Sequence, residues 1–170
     1  MNRVLVDVRL YSSLTLLRSM SSPTITLELL RSGTIDQFSA NAVVFDSEVA
    51  SREAARATRF HAEEEIHRGR SHVQKGKLKC DGLETQINAI CKFTVTHVPE
   101  LYDEAELYST KLRELQGQDI PVCYGYFECL YRDYNGRRRT MGCLILEDCG
   151  DSLNWDLDDI PEEIQYVSIC

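Results

Sequence analysis

Lys92 stands inside an apolar run, between Ile90, Cys91 and Phe93, and directly ahead of a segment with helical periodicity. A lysine on a buried strand is costly unless a carboxylate meets it. Whatever follows this strand must therefore supply one. Past Pro99, Leu101, Ala105, Tyr108, Leu112 and Leu115 recur at i, i+4, i+7, i+11 and i+14 and mark one face of a helix. Pro99 suits its first turn, and Gly117 follows the last apolar residue as a stop. With Leu101 as origin, Glu104 falls at roughly 300° and shares the apolar arc, whereas Glu106 falls at roughly 140° and points away. Glu104 is thus the expected partner of Lys92.

The remaining elements read from alternation and turn chemistry. "TITLELL" (24–30) alternates as a strand does, and "SANAVVFDSEV" contains a second apolar run after a polar turn, "RSGTIDQF". Further on, two strand-like runs, 122–133 and 138–147, flank Asn135-Gly136, a strong hairpin signal because both residues tolerate positive φ. Between these groups, residues 51–86 are dense in charge and poor in large apolar side chains. This stretch reads as an insertion, helical up to Gly69 and then irregular, that packs little against the rest. It carries His61 and His67, but six residues separate them, so on a helix they face different sides and do not form a metal pair.

These elements predict an α+β layer: a five-stranded, mostly antiparallel sheet with one main helix. At 170 residues the chain suits one domain. It is expected over 24–153, after a poorly ordered leader at 1–23. The leader contains Arg3, Arg9 and Arg18 with only Asp7 as an acid, a bias shared with organelle transit peptides, but it reads better as unstructured. A net charge of −8 and a pI near 5.0 argue against a general nucleic-acid or anionic-membrane surface. Seven cysteines, at 80, 91, 123, 129, 143, 149 and 170, include no C-x-x-C pair and lie partly in strand-like runs, which fits reduced thiols in a cytoplasmic or nuclear protein.

With "CKF" on the lysine strand, "EAELY" in the helix, then "LQGQDIPVCYGYF" and "CLILEDCG", the chain resembles the N-terminal lobe of the protein-kinase-like superfamily, and in particular kinase-like proteins of filamentous fungi. The resemblance spans roughly residues 24–153. It implies that Lys92, held by Glu104, contacts the α- and β-phosphates of ATP. It further implies that Leu146 is the gatekeeper and that the Glu147 carbonyl and Cys149 amide meet the adenine edge, with Gly150 leading out of the hinge. The phosphate loop would be "SGTIDQFSA", where Gly33 is the lone glycine and Thr34, Asp36 and Gln37 crowd the backbone. ATP with magnesium is the implied ligand, held weakly.

The resemblance does not extend to catalysis. "YRDYN" and "DCG" imitate H-R-D and D-F-G, but Asn135 follows Asp133 by two residues instead of five, and a hairpin turn and a hinge account for both strings. Residues 154–170 read as the first turns of a C-terminal-lobe helix, so the expected molecule is an incomplete, inactive kinase-like domain. The alternative is a non-catalytic module that binds a protein partner through the lobe or the charged insertion. A gene fragment without a selected role is a third reading.

Overall fold

The computed structural model describes residues 22–45, 56–133 and 135–150. Among them are seven strands: β1 (Thr24–Arg31), β2 (Thr34–Val43), β3 (Ala57–Arg68), β4 (His72–Cys80), β5 (Ile87–Thr94), β6 (Cys123–Arg132) and β7 (Arg138–Glu147). One α-helix, α1 (Val98–Ser109), follows β5, and a single 3-10 turn (Arg113–Leu115) comes next. The strands close into a barrel in the order β1-β2-β6-β7-β5-β4-β3. All neighbours are antiparallel except β1 and β3, which run parallel at the seam.

The expected open sheet of five strands is therefore wrong, and the error lies in residues 51–86. Its described part is not a helix and a peripheral loop but the β3–β4 hairpin, whose Ala57, Phe60, Ala62, Leu78 and Cys80 are buried in the barrel core. Two physical features hid it. Apart from Phe60 and Leu78, the inward positions are small or polar (Ala57, Ala62, Gln74, Gly76 and Cys80), so the strands have little apolar mass while their outer faces are charged. In addition, register shifts at Ala57/Arg59, Ala62/Glu64 and Glu65/His67 break the two-residue alternation.

Elsewhere the local reading holds more closely. Ile25, Leu27 and Leu29 of β1 point inward, and the turn to β2 shrinks to Ser32 and Gly33, both at positive φ (51° and 84°), as a tight two-residue hairpin needs. β6 and β7 pair about Asn135-Gly136 as expected, although only Gly136 takes positive φ (74°). Asp133 organises that loop by accepting the N–H groups of Asn135 and Arg137 on Oδ1, both at 2.9 Å. The hydrogen bond from the Arg137 N–H, with the Arg139 guanidinium and the Asn135 N–H, holds its carboxyl below the usual aspartate range against the opposing effect of burial.

A second, smaller cluster lies outside the barrel. Leu101 and Ala105 of α1 pack there against Tyr126, Leu144 and Phe45, with Leu146 and Tyr108 at its margin. Gly142 admits this packing, because a Cβ there would sit 2.5 Å from the Tyr126 hydroxyl. The helix ends at Ser109, before Leu112 and Leu115, so only the first half of the apolar stripe is helical. No helix among the described residues is long and apolar enough to cross a membrane. Residues 1–21 and 151–170, which include most of the expected leader and the whole expected terminal helix, lie outside the described part.

Two consequences test the hairpin assignment. A Cβ at Gly76 would overlap the carbonyl oxygen of His61 on the facing strand, so Gly76→Ala should lower stability by at least ~2 kcal/mol in denaturant titration. Amide exchange should show protection in β3 and β4 comparable with β6 and β7. A neutral Gly76→Ala variant, or fast exchange throughout 57–80, would contradict this register.

Candidate functional site

On β5, Ala89, Cys91 and Phe93 fill the barrel, so the intervening Lys92 is directed to the outer face, where α1 lies. Its ammonium donates to Glu104 Oε2 at 2.6 Å. Glu106 is exposed. The helical arc thus identified the correct carboxylate. Both side chains keep close to a third of their surface in contact with solvent (30% and 32%), so the pair is reachable by a ligand and not sealed in the core.

The pair forms one wall of a cavity of about 150 Å³ that is also lined by Arg70, Ser71, Thr94, His97 and Glu100. Thr94 holds this cavity together. Although 2% exposed, it donates from its hydroxyl to the Arg70 carbonyl (3.1 Å) and accepts the N–H groups of Thr96 and His97 (3.3 and 3.2 Å). One side chain thereby ties the β3–β4 turn to the entry of α1. His97 in turn meets Glu100 at 3.2 Å; the backbone amide of Glu100 and the His97 ring keep that carboxyl below its usual range.

The turn beside Lys92 is therefore Arg68–His72, with Gly69 at its bend, and not the β1–β2 turn. It is braced by Glu65, which receives His72 Nδ1 at 2.8 Å and Arg68 Nη2 at 3.1 Å. The His72 ring also stacks on Phe93, with ring centres 5.0 Å apart. Gly33 lies in the β1–β2 turn; its neighbours Ser32 and Thr34 line a different, larger cavity with Arg31 and the β6–β7 loop. The structure does not bring Gly33 together with Lys92. Arg70 and Ser71 were missed in the sequence because the strands on either side of the turn were not recognised, and Thr94, on the lysine strand itself, because its partner Arg70 lies on that turn. The string "RGRSH", polar and containing Gly69, was the available signal.

Of the remaining expected residues, Leu146 lies on the same outer face, whereas Glu147 is the register partner of Ala89, whose side chain fills the barrel. Leu146 of β7 is opposite Ile90 of β5, two residues before Lys92, and half-buried beside α1. Glu147 is fixed at the end of β7, where its N–H donates to the Val122 carbonyl (2.8 Å) and its side chain accepts the Val122 N–H (3.1 Å). Cys149 is exposed, and partial burial with the charges of Glu147 and Asp148 raises its thiol above the ordinary range. Lys92, Glu104 and Leu146 thus share the outer face of the barrel, with Glu147 and Cys149 following at the end of β7. Chemically the face offers the cations Lys92 and Arg70 with the Ser71 hydroxyl at one end and an apolar floor at the other.

Comparison with protein-family models, with curated proteins and with solved structures finds no match.

The half-exposed ion pair yields a bounded expectation. A double-mutant cycle on Lys92→Met and Glu104→Gln should give a coupling of ~0.5–1 kcal/mol that falls with added salt. Strict additivity would mean that the two groups do not interact in solution.

Proposed function

We propose that the outer face of β4, β5 and β7, together with α1, is the phosphate-anchoring part of a kinase-like nucleotide site. Lys92, held in place by Glu104, contacts the phosphates, the Arg70-Ser71 turn covers them, and residues 147–149 lie at the base end. The observation that carries this reading is the Lys92–Glu104 contact on a strand and the helix that follows it, the arrangement by which protein kinases hold ATP phosphates. The strand count supports it as well. Starting from β3, the lysine strand is third, and the turn between the first and second of these strands lines the cavity beside Lys92. The β1–β2 hairpin is then an addition that closes the barrel.

Lys92 retains N–H groups after donating one to Glu104 and keeps 30% of its side chain exposed, so a phosphate oxygen can complete its shell. The carboxylates present do not fit a magnesium site. Glu104 is taken by Lys92 and Glu100 by His97, and no cluster of three metal-ligating side chains occurs among the described residues. The sequence also contains neither H-x-D nor D-F-G, so the proposal concerns binding and not transfer.

Titration of the purified chain with ADP in the absence of metal tests this directly. Binding should be weak, in the range of ~0.1–1 mM, and Lys92→Ala should reduce it by about tenfold or more. Equal affinity in the two proteins would refute the assignment of Lys92.

A further inference from the structure

The base end of this face is occupied by the protein's own side chains. On the outer surface, Lys75 of β4, Ile90 of β5 and Leu146 of β7 form one cross-strand row, adjacent to the row of Val73, Lys92 and Leu144. A planar base joined to phosphates at Lys92 and directed toward residues 147–149 has to lie against Ile90 and Leu146. Lys75 reaches across β5 at this level, and its Nζ is 3.8 Å from Asp148 Oδ1 on the segment after β7. Asp148 is well fixed there. Its N–H donates to the Asn88 carbonyl (3.4 Å), and its Oδ1 also accepts the Gly150 N–H (3.0 Å). The ion pair is the less exposed of the two on this face, at 24% and 15%, against 30% and 32% for Lys92 and Glu104.

We infer that the Lys75–Asp148 pair is a latch over the base end of the site, so that this face takes phosphate-bearing ligands by their phosphates and gains little from a base until the latch opens. The inference rests on the phosphate-anchoring reading of Lys92. Its physical content is a competition. A base entering over Ile90 must displace the Lys75 side chain and strip Asp148 of its cation, and the cost of separating a partly desolvated pair offsets the stacking that the base would gain. Pyrophosphate, which needs only the Lys92–Arg70 end, meets no such cost.

The test compares pyrophosphate and ADP as probes on the wild type, Lys75→Met, Asp148→Asn and Lys92→Ala. The first variant keeps the apolar stem; the second keeps an oxygen for the Gly150 N–H and removes only the charge. Wild type should bind the two probes with affinities within about threefold of each other, whereas Lys75→Met and Asp148→Asn should each bind ADP about tenfold more tightly and leave pyrophosphate unchanged. ADP already favoured about tenfold in the wild type, or unmoved in both variants, would overturn the latch while leaving the phosphate site intact. Pyrophosphate binding that survives Lys92→Ala would instead overturn the anchoring role and the inference with it. Failure of every form to bind either probe would likewise sink both, provided that thermal melts show the variants to be folded.

Discussion

Closure of the barrel at the β1–β3 seam is the constraint on which the rest depends. The parallel pairing there is short, with Thr26, Leu27 and Glu28 facing Arg59, Phe60 and His61. Past it, the buried Gln74 takes the place of a strand partner: its amide donates to the Leu30 carbonyl at 2.6 Å and accepts the Leu30 N–H at 3.0 Å. Glu28 adds contacts to His61 (2.8 Å) and Arg59 (3.8 Å) on the outer surface. A buried backbone N–H and carbonyl left unpaired would each cost about 1–3 kcal/mol, so one glutamine offsets what the seam would otherwise lose. With the seam closed over Arg59, Phe60 and His61, that part of β3 has no free edge and the β3–β4 turn is held at a fixed height beside β5. That height brings Arg70 and Ser71 to Lys92.

The barrel also explains the cysteines better than any redox role does. Cys80, Cys91, Cys129 and Cys143 occupy inward positions alongside Ala40, Ala42, Ala57, Ala62, Ala89 and Gly76. A narrow interior needs small side chains, and a reduced thiol acts there as a small apolar group. Burial pushes the Cys129 thiol up to about 11 and holds Cys143, which is hydrogen-bonded to Cys91, well above the ordinary range. Such thiols are poor nucleophiles at neutral pH. The expectation of reduced, buried cysteines was therefore legible, but its structural meaning, a small-bore barrel, was not.

What could be read from the sequence follows the strength of local signals. The β6–β7 hairpin, the start of α1 and the choice of Glu104 over Glu106 each rested on a short-range rule, and the structure reproduces each. The β3–β4 hairpin failed because its evidence is distributed. Most of its inward residues other than Phe60 and Leu78 are small, three register shifts disturb its alternation, and its stability comes from long-range partners on β1 and β5 that no local window contains. The β1–β2 turn at Gly33 was expected beside Lys92 for the same reason: with β3 and β4 unseen, the first hairpin was the only one left ahead of the lysine strand, whereas the structure sets the β3–β4 turn there. Leu112 and Leu115 show the opposite limit, where a correct helical period continues past the point at which the helix stops.

The central claim is that Lys92, on the outer face of β5 and fixed by Glu104, is the group that meets phosphate. The chain has only five lysines, 75, 77, 79, 92 and 111, so side-chain NMR of isotopically labelled lysine can observe each separately. Added pyrophosphate should shift the Lys92 ammonium resonance, identified by its loss in Lys92→Arg, more than that of any other lysine. A Lys92 signal that stays in place while Lys75, Lys77 or Lys79 moves would contradict it.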